Sequence, residues 1–246
     1  MRRARPGVTR WAAVALPVFL SACASVHRDA SLPVNDPSET SNRAVFGFNQ
    51  AVLHPPAVVV KALTPGAVHD RLHDLNANLQ EPRIFANNFL QLRFDAATKS
   101  AGRFILNSTI GLGGLFDVAS ASGLPRQSGD FGQTLFVWGV PEGPYVIRPY
   151  FGPATTRDAV GETIDTLGDP VGWALGLTFG WPAYVGVGGL DAASRLSEFK
   201  EAEESSIDFY SFVRSAYYQT RRAELRAAIG LPPVVESPAT AGVPTR

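Results

Sequence analysis

The stretch PVGWALGLTFGWPAYVGVGGL, residues 170–190, decides what kind of fold this chain can adopt. It runs 21 residues without a formal charge, between Asp169 and Asp191. That is long enough to cross a bilayer, which takes roughly 20 apolar residues. Yet six of its residues are glycine, and Pro182 stands near its middle. A break of that kind facing lipid would leave backbone groups unpaired in hydrocarbon. Two solutions remain. One is a buried core hairpin in a soluble protein, which the segment alone favours. The other is a re-entrant pair of half-length helices bent at Gly180, Trp181 and Pro182. About 10 residues of helix rise about 15 Å, roughly one leaflet of the hydrocarbon core. Trp173 and Trp181 suit an interfacial belt.

The other end of the chain tips the balance. Cys23, the single cysteine, closes Leu20-Ser21-Ala22-Cys23. Arg2, Arg3, Arg5 and Arg10 precede it, followed by an apolar run over residues 11–20. A basic start, a short apolar core and small junction residues read as a secretory signal peptide. The core is about half of spanning length, so it is expected to be cleaved. Leu-Ser-Ala-Cys resembles a bacterial lipobox, which implies lipid on Cys23, cleavage before it and acylation of the new terminus. The alternative is an ordinary signal peptide with a free cysteine. A lone cysteine placed at the boundary favours the lipoprotein. Two or more acyl chains hold a protein firmly on a bilayer, which favours one-leaflet insertion for residues 170–190.

Cleavage removes four of 22 basic side chains and none of the 22 acidic ones, so the mature chain is mildly acidic. No basic patch is available to neutralise phosphates, which excludes nucleic acid as a partner. The expected organisation is a signal peptide at 1–22, a lipidated tether at 23–35, a helical domain at 36–230 and a disordered tail at 231–246. The domain should be mainly α, with a Gly/Pro-rich middle. Asp36-Pro37-Ser38-Glu39 predicts a capped helix from Pro37 to about Leu53, stopped by His54-Pro55-Pro56. Further helices are expected over 57–63, 68–80 and 82–92, and from an Asp95 cap to Leu106. Residues 133–140 and 145–150 read as short extended segments. Thr155 or Thr156 caps a helix to Leu167, and Ser205 or Ser206 starts one to Ile229. The acidic start and basic end of that last helix suit its dipole.

All eight asparagines lie between residues 35 and 107. Asn42 and Asn49 are seven apart, on one helical face with Phe46 near them. Asn87, Asn88 and Asn107 fall on or at the ends of later helices. Buried amides need partners, so caps and solvent-facing turns are one reading. The other is an uncharged polar lining along a water-filled channel. Signals for catalysis are weak. There is no Gly-x-Ser-x-Gly elbow. His69 and His73 stand one helical turn apart, but no third ligand is evident, so neither metal nor cofactor is expected.

An ordered series of motifs resembles the MlaA (VacJ) family of outer-membrane lipoproteins. It comprises Asp36-Pro37 with Glu39, residues 42–49 (NRAVFGFN) and residues 78–82 (NLQEP). Then come residues 103–119 (RFILNSTIGLGGLFDVA), 130–135 (DFGQTL), Trp138-Gly139-Val140, Gly143-Pro144-Tyr145 and Gly152-Pro153 with Arg157-Asp158. The resemblance covers about residues 36–220. It implies a ring-shaped, monotopic helical protein in the inner leaflet of the outer membrane, with a central amphipathic channel. It implies withdrawal of stray phospholipids from the outer leaflet and transfer to the periplasmic carrier MlaC, in association with a trimeric porin. Ala24 after the cysteine is similar to lipoproteins sent to the outer membrane. A scaffold lipoprotein and a periplasmic lipid hydrolase are the alternatives; the sparse histidines argue against the hydrolase.

Overall fold

A computed structural model describes residues 34–179, 181–196 and 200–232. Cys23, Gly180, the signal peptide, most of the tether and nearly all of the tail lie outside the described residues. The described chain is mainly helical: α1 (Glu39–Leu63), α2 (Gly66–Leu90), α3 (Phe94–Thr109), α4 (Val118–Ala121) and α5 (Phe131–Val137). A two-stranded hairpin follows, β1 (Tyr145–Arg148) and β2 (Gly152–Thr155). Then come α6 (Thr156–Leu167), α7 (Pro170–Phe179), α8 (Trp181–Leu196), α9 (Lys200–Ser205) and α10 (Phe209–Ala228).

Several boundaries differ from the sequence expectation, each for a physical reason. Three prolines expected at helix boundaries lie inside helices, Pro55 and Pro56 in α1 and Pro82 in α2, while α1 does end at Leu63, before Thr64-Pro65. The α1 prolines sit on an exposed face, as do Ala51 and Val52, whose carbonyls they leave without an amide donor. Ala57, just beyond, is buried and keeps the helix docked. Asp36 is not the cap of α1. Its carboxylate instead accepts hydrogen bonds from Asn42, Tyr210 and Arg214, tying the entry of α1 to α10. Asp95 lies one residue inside α3 and pairs with Lys99 rather than capping. Residues 133–140 are not extended: Asp130 accepts from the Gln133 amide at 2.9 Å and caps α5. The last helix starts at Phe209 because Asp208, not Ser205 or Ser206, caps it by accepting from the Ser211 amide.

The remaining expectations hold locally. Thr155 caps α6 by accepting from the Asp158 amide. β1 pairs antiparallel with β2, Tyr145 opposite Thr155 and Arg148 opposite Gly152. Residues 170–179 form α7 and residues 181–190 the start of α8; the two helices pack on each other and against α2. α8 also packs along α1. Among the described residues no helix is long and apolar enough to cross a membrane.

Packing places polarity inside. Among the described residues 18 polar or charged side chains are buried against 14 hydrophobic ones, while 30 large hydrophobic side chains are exposed. A water-soluble globule inverts that ratio. The exposed apolar groups form stripes: Val160, Ile164 and Leu167 on α6, Trp173, Leu177 and Phe179 on α7, and Phe85 and Phe89 on α2 next to Phe94. The buried apolar cluster is aromatic, with Tyr145, Ile147, Tyr210 and Tyr218 joined by Val45, Phe46 and Tyr217. It fastens the β hairpin between α1 and α10.

Buried polarity is bonded inwardly. Arg103 on α3 and Glu81 on α2 are almost wholly buried and pair at 2.6 Å. Arg103 also donates to Asp117, to Ser120 Oγ and to the Leu124 carbonyl. Two glycines have no alternative. A Cβ at Gly114, where φ is +100°, would fall 2.5–2.8 Å from the Asn78 side chain. One at Gly161 would fall 2.2 Å from the Gly132 nitrogen, where α6 crosses α5.

Candidate functional site

A cavity of about 780 Å³ opens between α1, α6, α10, the β1–β2 turn and the ends of α8 and α9. Its apolar wall includes Phe46, Leu53, Phe151, Pro153, Phe209 and Val213. Its polar wall holds two guanidiniums, Arg83 and Arg221, and six carboxylates: Asp130, Asp158, Glu162, Asp165, Glu203 and Glu224. The site is thus amphipathic, with the charged groups gathered from α2, α6, α10 and the cap of α5.

Arg221 organises that wall. Its Nη1 and Nη2 reach Asp130 at 2.7 and 2.8 Å. Its Nε and Nη2 reach Asp158 at 2.9 and 2.8 Å, and Nη1 reaches Glu224 at 2.9 Å. Tyr217 donates to Asp158 at 2.6 Å and accepts from the Thr155 amide, so β2 and α6 are fixed to α10 at one point. Burial pushes the Asp158 carboxyl up, but the Arg221 guanidinium outweighs it and holds the group down at about 2. The opposite balance holds elsewhere. Burial raises Glu224 despite Arg221, and raises Asp165 despite donors from the Phe131 amide and Asn87. Burial, then the Asp158 charge, raises the Tyr217 hydroxyl.

Most of the asparagines expected to line a channel are brackets of the fold instead. Asn42 donates to Asp36 and to the Tyr145 carbonyl, and accepts from the Ile147 amide at 2.9 Å. It therefore acts as an extra partner for β1. Asn87 donates to Asp165 and accepts from Thr134; Asn88 donates to the Ile84 and Ser128 carbonyls. Asn107 donates to Asp117 and accepts from the Ala119 amide. All four are buried and each donates its amide N–H to protein groups, though Asn88 Oδ1 has no partner among the described residues. Asn49 does both. It holds the hairpin through the Arg148 carbonyl and the Tyr150 amide, and it lines the cavity beside Phe46.

Of the hairpin residues, Trp173 is half exposed and its ring nitrogen donates to the Leu167 carbonyl at 2.8 Å. Trp181 and Pro182 are the first two residues of α8, and Gly180 lies outside the described residues. Among the described residues no group of three or more His, Cys, Asp or Glu side chains gathers around His69 or His73. His73 faces Asp191 on α8 at 3.1 Å. Sequence reasoning missed Arg83, Arg221, Glu224 and Asp165. Arg221 was legible only as the basic end of an amphipathic helix. Asp130 and Asp158 stood in the motif series without a role.

The family model for "MlaA lipoprotein" matches residues 34–224. An uncharacterized protein of Rickettsia felis is 39% identical over 142 residues, covering 56% of this chain and 57% of that protein. The intermembrane phospholipid transport system lipoprotein MlaA of Escherichia coli K12 is 34% identical over 212 residues, covering 82% of each chain. A solved structure from work on the structural basis for maintenance of bacterial outer membrane lipid asymmetry superposes with a TM-score of 0.66 at 33% identity. It covers 77% of this chain and 98% of that one.

Proposed function

The chain belongs to the MlaA lipoprotein family, and from that premise we propose that it removes phospholipids from the outer leaflet of the outer membrane through the cavity just described. One observation carries the reading: an amphipathic cavity of about 780 Å³ inside a protein that leaves many large apolar side chains exposed and buries many polar ones. A phospholipid needs both kinds of wall, one for its charged head and one for its acyl chains. The apolar stripes on α2, α6 and α7 supply the surface by which the body sits in a leaflet.

On this reading Cys23 carries the lipid anchor and the protein lies in the inner leaflet of the outer membrane. The helices around Gly180, Trp181 and Pro182 enter that leaflet without crossing, and the whole forms a ring around its channel. The protein performs no chemistry. It hands lipid to the periplasmic carrier MlaC and works beside a trimeric porin. The lipobox supports the anchor, and the family motifs support the ring, the carrier and the porin. Lining falls to Phe46 and Asn49 rather than to Asn42, Asn87, Asn88 or Asn107.

The test is to fill the cavity. Ala216→Trp places a large ring on the α10 wall. Cells carrying it should accumulate surface-labelled phospholipid and become sensitive to detergent. A folded variant with a clean outer leaflet would overturn the reading.

A further inference from the structure

The polar wall of the cavity is unevenly neutralised. Arg221 is shared among Asp130, Asp158 and Glu224, and Glu162 is paired with Arg148 at 2.5 Å. Glu203 receives a neutral amide donor from Gln50 at 3.1 Å. Asp165 receives Asn87 at 2.7 Å and the Phe131 amide at 2.8 Å, also neutral. Arg83 is the counterpart of these two. Its Nη2 reaches Gln80 Oε1 at 3.3 Å; among the described residues no carboxylate lies within ion-pair distance of it, and its Nε is buried with no hydrogen-bond partner. It nevertheless lines the same cavity and lies within electrostatic reach of Asp165.

A buried guanidinium edge without an acceptor is a donor fork awaiting a planar or tetrahedral oxyanion. Asp165 and Glu203, which form no ion pair among the described residues, leave room for a further positive group. We infer that the cavity selects a zwitterionic phosphodiester head group, with its phosphate on Arg83 and its ammonium between Asp165 and Glu203. Carboxylates outnumber guanidiniums six to two on this wall. A head group of net negative charge therefore meets repulsion that a zwitterion, bringing its own cation, does not. This inference rests on the transport reading, whose lipid class it narrows.

The experiment uses the purified, lipidated full-length protein. It is equilibrated with vesicles of equimolar phosphatidylethanolamine and phosphatidylglycerol, and the lipid it retains is counted by mass spectrometry. The native protein should hold phosphatidylethanolamine over phosphatidylglycerol by about fivefold, the scale of one added charge contact. Arg83→Ala should lower retention of both lipids several-fold. Glu203→Gln should narrow the preference by lowering retention of phosphatidylethanolamine more than that of phosphatidylglycerol, so a folding failure of one variant leaves the other decisive. Glycerophosphoethanolamine should displace lipid better than inorganic phosphate does. Equal retention of the two lipids, retention unchanged by Arg83→Ala, or equal displacement by inorganic phosphate overturns the inference. If retention shows no preference yet Ala216→Trp still blocks clearance, this inference alone falls. If the native protein retains no lipid and Ala216→Trp clears normally, the transport reading falls with it.

Discussion

Two arginines stand at the centre of carboxylate cages, and they are built to different ends. Arg103 and Glu81 are themselves essentially without exposure, and the partners of Arg103 come from α2 and from residues 117–124 around α4, away from the cavity. Arg221 has the same chemistry, with Asp130, Asp158 and Glu224 around it, but one side of its cage is the cavity. A charge cage closed on all sides fixes a fold. A cage open on one side fixes a wall and leaves a field in front of it. The residue type is uninformative on this point; the missing side of the cage is what separates the two.

The sharpest break of the comparison is Arg103→Ala. It leaves Glu81 buried and uncompensated, and should cost about 3–5 kcal/mol, read as thermal unfolding in detergent. Arg103→Met combined with Glu81→Leu should recover much of that loss, since a buried ion pair exchanged for apolar groups is often close to neutral. If the single variant melts like the native protein, the cage is not what fixes this unit.

Arg221→Met should cost less in stability, about 1–3 kcal/mol, because water can reach the carboxylates it abandons. Its larger effect should be on clearance of outer-leaflet phospholipid, measured by surface labelling. The reverse ranking, with melting worse than for Arg103→Ala and clearance intact, would erase the distinction between the cages.

Acid titration sharpens it further. The Asp158 carboxyl is held at about 2, against an ordinary value of 3.8. A lowered carboxyl contributes stability that is full above its unfolded value and is lost as pH falls through the folded one. The contribution should therefore fade between about pH 4 and pH 2, and amounts to roughly 2 kcal/mol. Asp158→Asn should flatten that limb of a stability-against-pH curve while leaving its neutral-pH slope unchanged.

The smallest effect belongs to a residue outside both cages. Leu177 is 79% exposed on α7. Leu177→Asn should shift stability by less than about 0.5 kcal/mol yet weaken binding of the unlipidated Cys23→Ala protein to vesicles. Undiminished binding would move the leaflet contact away from α7.

The ordered motifs of residues 36–158 identified the family, and the caps at Thr155 and the turn glycines were readable one by one. The division into α7 and α8 was also legible, because glycine and proline punctuate helices. Three kinds of feature were not. Prolines 55, 56 and 82 read as stops because their exposure and the packing that holds them are tertiary facts. The asparagines read as channel lining because seven-residue spacing gives a face but not what lies opposite it. Arg221 and Arg83 carried no local signal. Their partners lie on other helices, from Asp130 to Arg221 across 91 residues, so only the packed chain distinguishes a cage from a solvated charge.

The inward turn of polarity also imposes an order in time. Collapse in water drives apolar side chains together, and here that collapse would gather the 30 groups that the finished molecule leaves outside. On the proposed reading those groups have hydrocarbon as their neighbour, and the native arrangement gains its stability there. Lipid then takes part in folding, because the buried amides and ion pairs close against a body whose apolar groups are already satisfied outside.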